Sequence, residues 1–385
     1  MSYITFTEED FVPRIATCQR KLEQQGFDGL LVTAESNLTY YCNFHTHAPW
    51  STFTRSAFLF IPLKGKPLLY VHVFQVPDAE KITKGCDVLG FESLTGPTAK
   101  ELRDVMDARG MASGTIGMEM GHEQLIGFQL NLYESLKKEL SAVQFKDASN
   151  LIWSQRVIKS PKEVACIRKA CEATSFAHDK VFANMKEGMT ELDMSRLVQR
   201  YMLEGGADAP GFVILTSGVE NYDRISKTAT DRMLVNGDYI FLDLGARYNG
   251  YWSDFCRTGV IGKASEERKT YQQKIHEVTM RAAEIMRPGV PVADLARACF
   301  KEMERVGIDA NFECGRLGHS MGLMSTEPPS ITIYDDAILE EGMIINLEPG
   351  VVNELGIFNL EENFVITKDG ADLLSGGSRE LHSIM

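Results

Sequence analysis

Asp243 and Asp254 stand in two apolar-rich runs on either side of Asn249-Gly250. Asn-Gly is the strongest short signal for a β-hairpin, because both turn residues must take positive φ. A two-residue turn sets Tyr248 opposite Tyr251, Asp243 opposite Cys256 and Asp254 opposite Gly245. The two acids then share one face as diagonal neighbours, roughly 7–8 Å apart at the backbone. Unpaired, such carboxylates repel; reaching toward each other they could flank one cation or bridge two. The plainer alternative is that one of them points to solvent at a sheet edge. Three more ligand-type residues follow: His319 in Gly318-His-Ser-Met-Gly322, Glu348 at the end of Ile344-Ile-Asn-Leu-Glu348, and Glu361 in Phe358-Asn-Leu-Glu361. A lone histidine is usually structural, and either glutamate could cap a turn. Together, four carboxylates and one imidazole form the oxygen-plus-nitrogen set that suits Mn²⁺, Fe²⁺, Co²⁺ or Zn²⁺.

The elements that must position these groups can be read from periodicity. Up to about residue 150, short apolar runs at 29–33, 57–61 and 68–71 alternate with amphipathic stretches such as 10–25, the pattern of an α/β domain. The pattern breaks over 148–158, and Ser160-Pro-Lys-Glu163 then reads as a capping box with proline at the first helical position. A long helix starts there, with Val164, Ile167, Cys171, Thr174, His178, Val181 and Met185 on its buried face. Further helices fit Glu191–Glu204, 266–286 and 292–306, separated and followed by strand-rich segments. The reading is an α/β domain over 1–155 and an α+β domain over 156–385.

Composition narrows the function classes. The 385 residues are 44% hydrophobic and 24% charged, as in folded globular chains. Lys plus Arg total 40 against 53 Asp plus Glu, a formal net charge of −13 that repels phosphate backbones and anionic lipid surfaces. No nucleic-acid or membrane partner is expected. The start of the chain is acidic where a signal peptide is basic, and no run of about 18 apolar residues occurs. The eight cysteines contain no Cys-x-x-Cys, which fits reduced thiols and a cytoplasmic protein.

The set Asp243-Leu-Gly, Gly250-Tyr-x-Ser-Asp254-x-x-Arg-Thr258, Gly318-His319-x-x-Gly322, Glu348-Pro-Gly and Glu361 resembles the creatinase, prolidase and aminopeptidase P family. The resemblance extends to the junction Arg156-Val-Ile-Lys-Ser-Pro-Lys-Glu163 and to a creatinase-like N-terminal domain. It implies a pita-bread catalytic domain and two divalent ions that activate water. Asp254 and Glu361 would bridge the ions, Asp243 would complete one site, and His319 with Glu348 the other. Glu348 would also shuttle the proton. A homodimer is the family expectation.

The chain departs from the family where its peptidases carry two further histidines. Ser226 and Thr326 stand at those positions, and Asn359 replaces an arginine. Hydroxyls can line a substrate pocket but do not titrate near neutrality. In the N-terminal domain, Asn43-Phe-His-Thr-His-Ala-Pro-Trp-Ser-Thr-Phe-Thr-Arg55 resembles the creatinase loop that enters a neighbouring protomer's active site. There Arg55 would clamp a substrate carboxylate, with His45, His47 and Trp50 around it; an ordinary surface loop is the alternative. The sequence thus reads as a metal-dependent hydrolase cleaving an amide or related C–N bond in a short-peptide or small-molecule substrate, Xaa-Pro peptides first. The rivals are a hydrolase or lyase acting on a small amidic or zwitterionic metabolite, and a noncatalytic binding protein of the same fold.

Overall fold

The computed structural model describes residues 3–46, 55–309 and 315–385. The chain divides into two compact units, Met1–Arg156 and Val157–Met385. In the first unit, strands β1 (Gly29–Val32), β2 (Phe58–Pro62), β3 (Leu68–His72), β4 (Asp87–Phe91), β5 (Gly114–Met118) and β6 (Val143–Asp147) form one sheet in the order β4-β3-β2-β1-β5-β6. Every residue of β1, β2 and β3 is buried, as continuous apolar runs require when both sheet faces are covered. Helices α1 (Glu8–Gln25), α2 (Glu35–Cys42), α3 (Val76–Ile82), α4 (Ala99–Ala108), α5 (Leu130–Glu139) and α6 (Ser149–Arg156) complete this α/β unit.

The second unit opens with α7 (Pro161–Asn184), whose capping box is in place: the Ser160 side chain accepts from the Glu163 N–H, and Glu163 reciprocates. Helix α8 (Glu191–Glu204) is boxed by Thr190 and Asp193. Strands β7 (Ala209–Ser217), β8 (Tyr239–Tyr248), β9 (Tyr251–Trp252) and β10 (Phe255–Ile261) follow, then α9 (Glu266–Ala283) and α10 (Val292–Arg305), each slightly shorter than its apolar pattern. The last segment carries β11 (Gly318–Ser320), β12 (Glu327–Ser330), β13 (Ile344–Leu347), β14 (Gly350–Asn353), β15 (Gly356–Asn359), β16 (Glu362–Ile366), β17 (Ala371–Leu373) and β18 (His382–Ile384). One sheet runs β18-β10-β8-β7 with β9 on β8; a second runs β12-β11-β13-β16-β17; β14 and β15 pair as a hairpin.

Each sheet is backed by two helices. Ile240, Leu242, Leu244 and Ala246 of β8 pack with Ala177 and Val181 of α7 and with Met194 and Val198 of α8. Ile345 and Leu347 of β13 and Phe364 and Ile366 of β16 pack with Ala282 of α9 and Leu295 and Cys299 of α10. Because side chains alternate along a strand, the residues between these apolar ones face away from those helices. Asp243 shares its parity with Tyr239 and Phe241, and Asp254 shares its parity with Cys256 and Val260, all in a core distinct from the α7–α8 layer. Asn346, Glu348, Glu361 and Asn363 likewise alternate with the residues that meet α9 and α10. Among the described residues no helix is long and apolar enough to cross a membrane.

Candidate metal centre

The hairpin around Asn249-Gly250 has the expected register. Both turn residues have positive φ, 53° and 81°, Tyr248 pairs with Tyr251, and Asp243 pairs with Cys256. The ladder breaks at Ser253-Asp254, between β9 and β10, and α7 grips the break. Thr174 and Ser253 share a hydroxyl hydrogen bond of 2.8 Å, and His178 Nε2–H donates to the Phe255 carbonyl at 3.1 Å. The Asn363 amide closes the gap from the other sheet: the Asp254 N–H donates to its Oδ1 at 3.1 Å, and its Nδ2 donates to the Asp254 carbonyl. Asp254 is therefore presented by a clamped backbone that is itself not in a strand.

His319 sits on β11 because Gly318 lets that strand lie close against β13. At Gly318, φ is 147°, and a Cβ there would stand 2.0 Å from the Asn346 carbonyl oxygen. His319 Nδ1–H donates to the Ser320 carbonyl at 2.9 Å, so Nε2 carries the lone pair. That nitrogen lies 3.6 Å from Asp254 Oδ2 and 3.8 Å from Glu348 Oε1. Glu348 directly follows β13, and Glu361 directly precedes β16. Asn346 Nδ2 donates to Glu361 Oε1 at 2.5 Å and lies 3.3 Å from His319 Nε2. Behind Glu361, the buried Arg257 reaches the Glu361 carbonyl at 3.3 Å and pairs with buried Glu362 at 3.1 Å. Arg257 thus backs the segment that carries Glu361.

The structure brings all five chemistry-bearing residues into one cluster. Ligand atoms of Asp254, His319 and Glu361 lie within 4.8 Å of one another, and all three residues are buried. Glu348 joins through His319. Glu361 comes within hydrogen-bond reach of both Asp243 and Asp254. Burial, followed by the charge of neighbouring acids, pushes Asp243 and Asp254 well above the usual carboxylate range and Glu348 up to about 8; burial alone raises Glu361. Burial, then Arg316, lowers His319 to about 4, so its imidazole is neutral and able to ligate. Among the described residues Asp243 Oδ1 is enclosed with no hydrogen-bond partner. An orphaned buried carboxylate oxygen beside three further acids and a lone-pair nitrogen is a donor set that fits divalent cations.

The other sequence-selected residues are placed less tightly. Ser226 lies exposed in the turn after Tyr222, and Thr326 is half-buried just before β12; among the described residues neither hydroxyl has a hydrogen-bond partner. Arg55 belongs to the first unit, where its Nε is buried and, among the described residues, has no hydrogen-bond partner. His47 and Trp50 lie outside the described residues, and His45 is exposed. The amides of Asn346 and Asn363, which tie the ligands together, escaped sequence reading, although a polar residue inside an apolar strand such as Ile344-Ile-Asn-Leu347 is a usable signal.

Residues 165–368 match the model of metallopeptidase family M24, and 14–158 match that of the creatinase/prolidase N-terminal domain. The Xaa-Pro dipeptidase of Pyrococcus horikoshii is 34% identical over 250 residues, 64% of this chain and 71% of the relative. The ectoine hydrolase of Halomonas elongata is 24% identical over 98% of both chains. Among solved structures, a prolidase from Pyrococcus horikoshii superposes with a TM-score of 0.83 at 27% identity, covering 96% of this chain and 99% of that one. With the catalytic model matching more than half of its length, the chain belongs to metallopeptidase family M24, as a pita-bread domain preceded by a creatinase/prolidase N-terminal domain.

Proposed function

We propose that this metal-dependent hydrolase cleaves short Xaa-Pro peptides with two divalent cations, Mn²⁺, Co²⁺, Zn²⁺ or Fe²⁺, as its cofactor. The observation that carries the reading is the convergence of Asp243, Asp254, His319, Glu348 and Glu361 in one buried cluster that holds an unpartnered carboxylate oxygen. In this reading Asp254 and Glu361, central in the cluster, would be the shared ligands, Asp243 would complete one site, and His319 with Glu348 the other. When bound, such ions supply Lewis-acid polarisation of the amide carbonyl and an acidified water. Glu348 holds and moves the proton, because its high affinity for one and its partly exposed side chain suit exchange with substrate. Arg55, Ser226 and Thr326 contact the substrate, Arg55 from the neighbouring protomer of a homodimer. The protein acts in the cytoplasm and takes no nucleic acid.

The substrate class is supported by relatives named Xaa-Pro dipeptidase and prolidase. A second reading, a small amidic or zwitterionic metabolite in place of a peptide, is favoured by Ser226 and Thr326 at the two histidine positions and by the full-length relative named ectoine hydrolase. Protein stripped of metal and reloaded with Mn²⁺, Co²⁺ or Zn²⁺ is expected to bind close to two ions per chain and to hydrolyse Ala-Pro. Uptake below one ion per chain removes the metal reading. Full uptake with turnover of small amidic metabolites but not of Xaa-Pro peptides transfers the assignment to the second.

A further inference from the structure

Three polar side chains stand side by side across the second sheet of the catalytic unit. His319 of β11 pairs with Asn346 of β13, and Asn346 pairs with Asn363 of β16. Residues paired across neighbouring strands project to the same face, so one row runs from the imidazole through two amides. All three are buried, the two asparagines completely. Their partners fix which way each amide points. The Asp254 N–H donates to Asn363 Oδ1 at 3.1 Å, and only the oxygen end of an amide can accept it. The Cys171 thiol donates to the same oxygen at 3.3 Å. Asn363 Nδ2 therefore turns toward the Asp254 carbonyl and toward Asn346 Oδ1, which it meets at 3.2 Å. With its oxygen taken by Asn363, Asn346 must present its nitrogen to the acid cluster.

The two hydrogens on that nitrogen have one partner each, Glu361 Oε1 at 2.5 Å and the lone pair of His319 Nε2 at 3.3 Å. A cation asks different things of these two atoms. A carboxylate oxygen has lone pairs to spare, so Glu361 Oε1 can keep the N–H bond while it binds an ion. An imidazole nitrogen has one lone pair, so His319 Nε2 must release the amide to bind. The short contact is the one that can persist, and the long one is the one that gives way. Among the described residues Asn346 hydrogen-bonds to neither Asp243 nor Glu348. We infer that Asn346 is a positioning residue: its amide orients Glu361 toward the ion that His319 binds, and so sets the affinity of the site formed with His319 and Glu348 but not that of the Asp243 site. The inference rests on the two-cation reading and names the residue that makes the two sites unequal.

The test is a calorimetric titration of the metal-stripped full chain with Co²⁺, with the visible spectrum of the bound ion recorded at each point. Wild type is expected to take up two ions. Asn346→Leu keeps the branched outline of the side chain and removes both donors. It should hold one ion at wild-type affinity and the other roughly ten- to a hundredfold more weakly, the usual effect of deleting a hydrogen-bond partner of a metal ligand. Asn346→Ser, which keeps one donor on a shorter arm, should fall between, and it carries the test if the apolar variant does not fold. The ion that Asn346→Leu retains should have the same spectrum as the ion retained by His319→Ala, because both changes damage one site. Two ions held as tightly as in wild type, or more tightly, overturn the inference. Equal weakening of both ions also overturns it, since a loosened fold would do the same. So does a retained ion whose spectrum matches Asp243→Asn instead of His319→Ala. Uptake of only one ion by wild type sinks the inference, and uptake below one sinks the metal reading as well.

Discussion

Glu348 registers the cost of gathering acids without a counter-charge. Burial, then the charge of Glu361, lifts its carboxyl from an ordinary 4.5 to about 8, and Asp243, Asp254 and Glu361 are raised with it. Groups whose folded pKa lies above the unfolded value favour the fold at low pH. The contribution of Glu348 is complete below about 4.5 and is lost as the pH climbs through about 8. Cations invert the dependence, since they bind ionised acids and a neutral imidazole. Metal-stripped protein should therefore melt lower at pH 8 than at pH 5.5, and Mn²⁺-saturated protein higher. Parallel pH dependence of the two melting temperatures would take these carboxylates out of metal binding. Asp254→Asn extends the same logic. The isosteric amide removes one repelling charge and, in the proposed reading, a central ligand, so bound metal should drop sharply by elemental analysis. The metal-free variant should melt at or above the metal-free wild type at pH 8. Undiminished occupancy would remove Asp254 from its bridging role.

At the scale of elements, legibility follows sequence distance. The extent of α8, the start of α7 and the pairing of β8 with β10 could be read because caps, apolar periodicity and an Asn-Gly turn act within a few residues. The break at Ser253-Asp254 could not be read, because what holds it comes from Thr174, 79 residues from Ser253, and Asn363, 109 residues from Asp254. The same distance hid the Lys159–Glu327 pair. Lys159, in the stretch before α7, donates to Glu327 at 3.1 Å and to Ser320 at 3.3 Å, with both charged side chains about 1% exposed. Glu327 in turn accepts from the Met324 N–H, which fixes the turn between His319 and Thr326. Removing one partner of a buried pair costs about 3–5 kcal/mol, because the other charge remains desolvated. Lys159→Met is expected to lower denaturant stability by that amount. Adding Glu327→Gln should restore a large part of it, since no buried charge is then left alone. A double variant as unstable as the single one would show that the packing of Lys159 matters more than its charge.

For the molecule as a whole, the acid excess divides into two kinds. The cluster gathers four of the 53 acidic residues, while most of the other 49 keep the surface negative. What that surface assembles into decides whether a single chain holds a complete site. A twofold homodimer in which the segment ending at Arg55 serves the neighbour's centre would have two sites, each built from both chains. Variants in Arg55 and in Asp254 then damage a homodimer completely yet complement one another. In a mixed dimer, one centre pairs an intact Asp254 with the partner's intact Arg55, and the other centre carries both defects. Exchange of equal amounts gives about half mixed dimers, so turnover should recover to about one quarter of wild type. Mixing Asp243→Asn with Asp254→Asn should recover nothing, because both lesions damage the centre of their own chain. No recovery with Arg55→Ala when size measurements show a dimer would confine each site to one chain, whereas recovery in the control would show that Asp243 and Asp254 do not serve the same centre.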